Sequence, residues 1–147
     1  KDWGDLGFQG SDPATDFRGM GVLGLEMLLF LAETFPSEAR AALLHSQHPT
    51  YYYPFAVAAI NWTARLVEWV SSGVLDAHFL SLHEPTMDDF AHIFARVMFA
   101  FDAFYLASKP KDLMEFPRLF QEAQDALCVQ AGQDSVEPLR PAQILHK

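Results

Sequence analysis

Along this chain apolar positions recur every three or four residues rather than every second one, the period of helices that bury one face. No run alternates apolar and polar residues over strand length between turn residues, and Val and Ile are sparse beside Leu, Ala and Phe. A first helix is predicted from about Met20 to Glu33; it is apolar all round, which predicts a central, buried position. Pro36-Ser37-Glu38 reads as a fresh helix start running to about His45, and His48-Pro49-Thr50 as a break. The third predicted helix takes Pro54 into its first turn and lines up Phe55, Ala59, Trp62, Leu66, Trp69 and Val70 on one face. It stops near Ser71-Ser72-Gly73, with Gly73 as its C′ residue. Residues 74–84 fit either a loop or a short helix. Pro85-Thr86 opens a fourth long helix with Thr86 as N-cap and Asp88 and Asp89 in the first turn, where acids suit the helix dipole. Its apolar face runs from Phe90 through Phe94, Phe101 and Tyr105, and Lys109-Pro110-Lys111 ends it. A fifth helix is predicted from about Leu113 to Val129. The pattern predicts an all-α fold: a single compact multi-helix domain over residues 1–130, with an ordered Gly-rich N-terminal loop and an extended or flexible C-terminal tail over residues 131–147.

Composition narrows the function classes. Of 147 residues, 50% are hydrophobic and 14% aromatic, which excludes a disordered or fibrous chain and supplies one real core. Ten Lys plus Arg against 19 Asp plus Glu give a formal charge of -9, a surface that repels phosphate backbones and anionic lipid. Nucleic acid is therefore not an expected partner. The lone Cys128 has no internal disulfide partner, fits a reducing compartment and reads as a small buried hydrophobe. Lys1-Asp2-Trp3-Gly4-Asp5 is not the charged start of a secretory leader, so a cytoplasmic location is expected. The longest apolar stretches, 22–32 and 93–107, are interrupted by Glu26 and by Arg96 and Asp102, and fall short of the roughly 20 residues a bilayer needs. Direct membrane insertion is not expected.

Gly19-Met20-Gly21-Val22-Leu23-Gly24 matches the GxGxxG pattern, but no strand precedes it and no βαβ unit surrounds it, so the glycines read as permitting a tight turn and a close approach. The Asn61-Trp62-Thr63 sequon falls inside a helix and reads as silent; Asn61 is free to bond to a neighbouring helix or loop. His45 and His48 straddle a helix end with no supporting Cys or paired acid, which favours cap or surface roles over a metal site. No cofactor or metal is expected.

The N-terminal loop carries the most information. It mixes Trp3, Phe8 and Phe17 with turn glycines, so the aromatics are expected to pin it to the core. Asp12-Pro13 and Thr15-Asp16 are capping and turn pairs. Arg18 is the only base between Lys1 and Arg40, set among Asp12, Asp16, Gly19 and Gly21. It has two readings: a structural ion pair that braces the loop, or a guanidinium presented outward to a phosphate or to a partner's acid.

Trp3-x-x-Leu6-Gly7-Phe8-Gln9-Gly10-x-Asp12-Pro13-x-Thr15-Asp16-Phe17-Arg18-Gly19-x-Gly21-x-Leu23-Gly24-Leu25 resembles the signature of the ELMO domain family. Tyr53-Pro54-Phe55-Ala56-Val57, followed by Ile60-Asn61 and Thr63, resembles that family's second block, and Phe94 to Phe104 its third. The resemblance covers roughly residues 3–107. It implies one of two functions. ELMO domain-containing proteins activate Arf-family and Arf-like small GTPases, and the arginine of their Asp-Phe-Arg-Gly element, here Arg18, is the proposed catalytic group. Engulfment scaffolds of the same family have lost that element and act as non-catalytic interaction modules. Asp16-Phe17-Arg18-Gly19 is intact here, which favours the activating branch. The implied partner is an Arf-family or Arf-like GTPase in its GTP-bound state, able to recruit the domain to membranes. The domain would have no independent catalytic activity. Gln9, Asp12, Asp16, Gly19 and Gly21 are the implied supporting residues, the two glycines by allowing the partner's phosphate loop to come close.

Overall fold

The computed structural model describes residues 2–82 and 84–133, without the side chains of Arg18 and Gln133. The predicted tail beyond residue 133, and any pairing of Arg18 with Asp12 or Asp16, lie outside the described residues. Among these, all regular structure is helical: α1 (Gly21–Thr34), α2 (Pro36–Ser46), α3 (Phe55–Ser71), α4 (Asp76–Leu80), α5 (Met87–Ser108) and α6 (Phe116–Gln133). Three 3₁₀ segments, Trp3–Leu6, Pro13–Gly19 and Leu113–Glu115, make up the rest. The stretch that read as loop or short helix holds α4. The fifth predicted helix is divided into the last 3₁₀ turn and α6, because Asp112 caps that turn by accepting from the Met114 amide at 2.9 Å.

Helix ends follow local chemistry. Thr86 and Asp89 form a reciprocal capping box at the start of α5: the Thr86 amide donates to Asp89 Oδ2 at 2.8 Å, and the Asp89 amide to Thr86 Oγ1 at 3.4 Å. Those bonds from the Thr86 amide and hydroxyl hold the Asp89 carboxyl below its ordinary pKa. Gly73, past the end of α3, takes the left-handed conformation at φ 84°. Pro54 sits one position earlier than predicted, as the extended N-cap of α3.

α3 and α5 form the centre, with α1 and α2 against one side and α6 against the other. Phe101 of α5 is the hub of an aromatic cluster, with ring centroids 5.4 Å from Tyr53, 5.8 Å from Trp62 and 5.6 Å from Phe120. Such pairs contribute about 0.5–1.5 kcal/mol each beyond the area they bury. By length and apolarity α5, at 22 residues, would suffice to cross a bilayer, contrary to the length argument from sequence; here it is the core helix, most of its apolar residues buried against protein. Asp102, only 6% exposed, is the polar residue of its buried face. Its carboxylate is bridged by Tyr53 Oη, which donates to Oδ1 at 2.7 Å, and by His45 Nδ1, 2.7 Å from Oδ2. Burial pushes the Asp102 carboxyl up, and the two hydrogen bonds oppose that rise.

α1 departs from its predicted central position. Only Gly24, Met27 and Leu31 are buried, while Val22, Leu25 and Leu29 are 70%, 44% and 49% exposed. Lying beside α2 on one flank of α3, the helix presents a single stripe to the core. Its remaining apolar surface frames a groove of about 380 Å³ with Trp3, Leu6 and Phe8.

Candidate functional site

The N-terminal segment is strapped to the helical core by its own backbone. Asp2 caps the first 3₁₀ turn through the Gly4 amide at 2.9 Å. Gly7 ends that turn at φ 82°, and its carbonyl accepts from the Val57 amide of α3 at 3.3 Å. Gln47 Nε2, after α2, donates to the Asp5 carbonyl at 2.6 Å. Trp3 packs on Phe8 at 5.8 Å and Phe8 on Phe17 at 5.6 Å, an edge-to-face ladder that joins the first 3₁₀ turn to the second. The aromatics thus tie the two turns to each other, while the bonds from Val57 and Gln47 tie the segment to the helices.

The second turn, Pro13–Gly19, carries Arg18. Asp12 caps it: Oδ1 accepts from the Ala14 amide at 3.0 Å, and its carbonyl from Thr15 Oγ1 at 2.9 Å. Asp16 Oδ2 accepts from the Gln9 amide at 2.8 Å and so closes the loop between the two turns. Both acids are thus acceptors for main-chain amides. Past Arg18, Gly19 is exposed, with nothing within 4 Å of where a Cβ would stand. Gly21 has equally open space but holds φ 54°, a left-handed conformation at the start of α1. The GxGxxG pattern therefore spans a 3₁₀ end and a helix start, with no strand before it.

Of the sequence-predicted residues, Gln9, Asp16 and Gly19 come together around one polar depression of about 360 Å³ beside the Arg18 turn. Asp12 and Gly21 do not line it; Asp12 caps the start of the turn and Gly21 opens α1 beyond its end. The depression is completed from α3 by Val57, Ile60 and Asn61. Asn61 was not among the predicted site residues. The signal available was a carboxamide in an apolar run, one helical turn past Val57, where it breaks the hydrophobic face of α3. Thr63 of the same block is fully buried, its hydroxyl donating to the Ala59 carbonyl at 2.9 Å, and does not reach the depression. The histidines are placed by structure: His48 Nδ1 accepts from the Thr50 and Tyr51 amides, both at 3.0 Å, and caps a turn.

The model of the ELMO/CED-12 family matches residues 1–120. The chain is 40% identical to mouse ELMO domain-containing protein 2 over 83% of its own length and 42% of the relative's. It is 38% identical to ELMO domain-containing protein B of Dictyostelium discoideum, over 95% of this chain and 48% of that one. Bovine ELMO domain-containing protein 1 is 36% identical over 81% of the chain and 42% of its own length. The chain thus spans less than half the length of these relatives. No solved structure is significantly similar to it. With the family model matched over most of the sequence and relatives at 36–40% identity, this chain belongs to the ELMO/CED-12 family.

Proposed function

We propose that the domain activates an Arf-family or Arf-like small GTPase by supplying Arg18 in trans to GTP hydrolysis. The observation that carries this reading is the setting of the intact Asp16-Phe17-Arg18-Gly19 element. It ends a 3₁₀ turn fixed by main-chain bonds on both sides, next to an exposed glycine with open space around it. As GTP is cleaved, negative charge shifts over the γ-phosphoryl oxygens and the bridging oxygen, and a planar, permanently charged guanidinium meets several of them at once. Delivered in trans, such a group is worth about 10³ to 10⁵ in kcat, or roughly 4–7 kcal/mol. Lys carries the charge without the fork. The reaction belongs to the GTPase; the domain contributes the cation and the docking surface. The reading places the domain in the cytoplasm, recruited to membranes through the GTP-bound partner.

The test is single-turnover GTP hydrolysis by a panel of Arf-family GTPases with the wild-type domain, Arg18→Lys and Arg18→Ala, each melted in parallel. The expected result is stimulation by wild type and loss of most of it in a normally folded Arg18→Lys. A second reading, a non-catalytic interaction module, is favoured by the exposed apolar side of α1 and the groove it shares with Trp3 and Leu6. That reading expects stimulation to be absent throughout, or indifferent to residue 18.

A further inference from the structure

Two carboxamides from different elements meet at the depression beside the Arg18 turn. Gln9 is exposed between the two N-terminal turns, and Asn61 is exposed on α3. Both line the depression together with Asp16, Gly19 and an apolar side made by Val57 and Ile60. The Gln9 main-chain amide is committed to Asp16, yet among the described residues neither side-chain carboxamide has a protein partner. We infer that Gln9 and Asn61 are a clamp for the main chain of an extended segment of the partner protein, docked beside the Arg18 turn.

The chemistry of the pocket selects that guest. A carboxamide offers an N–H donor and a C=O acceptor side by side, the same pair that a peptide group presents. Two carboxamides on one depression can therefore each pair with a peptide group of an extended guest, the kind of main-chain bonding by which an added strand is held at a sheet edge. A phosphate is disfavoured, because the Asp16 carboxylate faces the same space and Gly19 adds no side chain to offset it. Val57 and Ile60 give a small side chain of the guest somewhere to rest. Open space at Gly19 lets main chain approach main chain. The clamp rests on the proposed function for the identity of the partner, but it acts in docking rather than in the chemical step. It should therefore set the concentration at which the domain works and leave the maximal rate alone.

The experiment measures single-turnover hydrolysis by GTP-loaded Arf-family GTPases against domain concentration, for wild type, Asn61→Ala, Gln9→Ala and Arg18→Lys. In parallel, calorimetry measures binding to the same GTPases loaded with a non-hydrolysable GTP analogue. Asn61 is exposed, so Asn61→Ala should melt with wild type; Asn61→Gln, which keeps the carboxamide, serves as a second variant. The expected result is a roughly tenfold rise in half-saturating concentration and in Kd for Asn61→Ala, with unchanged maximal rate, a similar shift for Gln9→Ala, and partial recovery in Asn61→Gln. Arg18→Lys should do the opposite, losing maximal rate at nearly unchanged Kd. A folded Asn61→Ala with wild-type half-saturation and Kd overturns the clamp, and so does one that loses maximal rate alone. Should wild type bind without stimulating, the arginine reading fails and the Kd of Asn61→Ala alone decides the clamp. If wild type binds none of the panel, both are overturned.

Discussion

Replacing Gly7 with alanine should unfasten the N-terminal strap while sparing the helical core. A Cβ on Gly7 would stand 2.2 Å from the Phe55 amide nitrogen, 2.7 Å from the Pro54 carbonyl carbon and 3.0 Å from the Ala56 nitrogen. All three are backbone atoms at the start of α3, which cannot turn away as a side chain would. The residue also holds φ 82°, a conformation that costs an L-residue about 1–2 kcal/mol. Forced overpacking adds about 1–3 kcal/mol. If the segment lifts to relieve the contact, the bond from the Val57 amide to the Gly7 carbonyl goes as well, worth about 1 kcal/mol net. The total, about 3 kcal/mol or more, falls on a segment tied to the core by few bonds, so it should appear as local opening rather than as a large drop in Tm. Two glycines provide the scale. Gly21→Ala meets open space and bears only the conformational cost of its φ of 54°, about 1 kcal/mol. Gly19→Ala has neither penalty and should change stability by less than about 1 kcal/mol. The assay is amide hydrogen exchange at Gly7 and Val57 with parallel thermal melts. Fast exchange at Val57 in Gly7→Ala, and in neither other variant, is expected. Wild-type protection of Val57 in Gly7→Ala would refute the reasoning, as would a Gly19→Ala that costs as much as Gly7→Ala.

Alkaline pH should destabilise the domain through its buried tyrosines. Burial first, then the charge of Asp102 and the hydrogen bond to it, hold Tyr53 well above the ordinary tyrosine pKa, and burial pushes Tyr105 up to about 12. The unfolded chain releases these protons near pH 10 while the folded one keeps them. Stability is therefore full below about pH 10 and falls as pH rises towards about 12, by about 1.4 kcal/mol per pH unit for Tyr53 alone. Urea midpoints from about pH 9 to 11.5 check this, with a shallower slope expected in Tyr53→Phe and a flat profile contradicting it. Thr86→Ala should cost about 1 kcal/mol in urea unfolding by removing the α5 cap, and Thr86→Ser should recover most of it. Gln in place of Val22 or Leu29 should shift stability by less than about 0.5 kcal/mol, whereas Leu31→Ala, on the packed stripe of the same helix, should cost about 2–5 kcal/mol.

Helix existence and most helix ends were legible because they depend on neighbours in sequence. Thr86-x-x-Asp89 carries its own cap, and Gly73 is the residue that adopts a left-handed C′ conformation most readily. Packing was less legible. α1 is apolar on every side, so its pattern has no weak face from which to learn which stripe meets α3. Asp102 reads as an interruption of an apolar run, and its bridging partners lie at His45 and Tyr53, far along the chain. The same applies at the candidate site. Asp12 announces its cap because Ala14 is two residues away, but nothing local pairs Asp16 with the Gln9 amide or brings Asn61 to that depression.

The bonds that hold the Arg18 turn also separate its two readings. A structural arginine is needed where a loop would otherwise fall open. Here Asp12 and Asp16 already accept from main-chain amides, Gly7 and Asp5 accept from Val57 and Gln47, and Phe8 and Phe17 pack edge to face within the segment. None of these contacts uses a guanidinium. A presented guanidinium expects Arg18→Ala to melt within about 1 kcal/mol of wild type and to keep slow exchange at Val57. A brace would behave otherwise: its removal would loosen the strap much as Gly7→Ala does. Placing both variants in one exchange experiment sets the bracing and presenting roles apart before any GTPase is added, and a strap that opens in Arg18→Ala would return the arginine to a purely structural role.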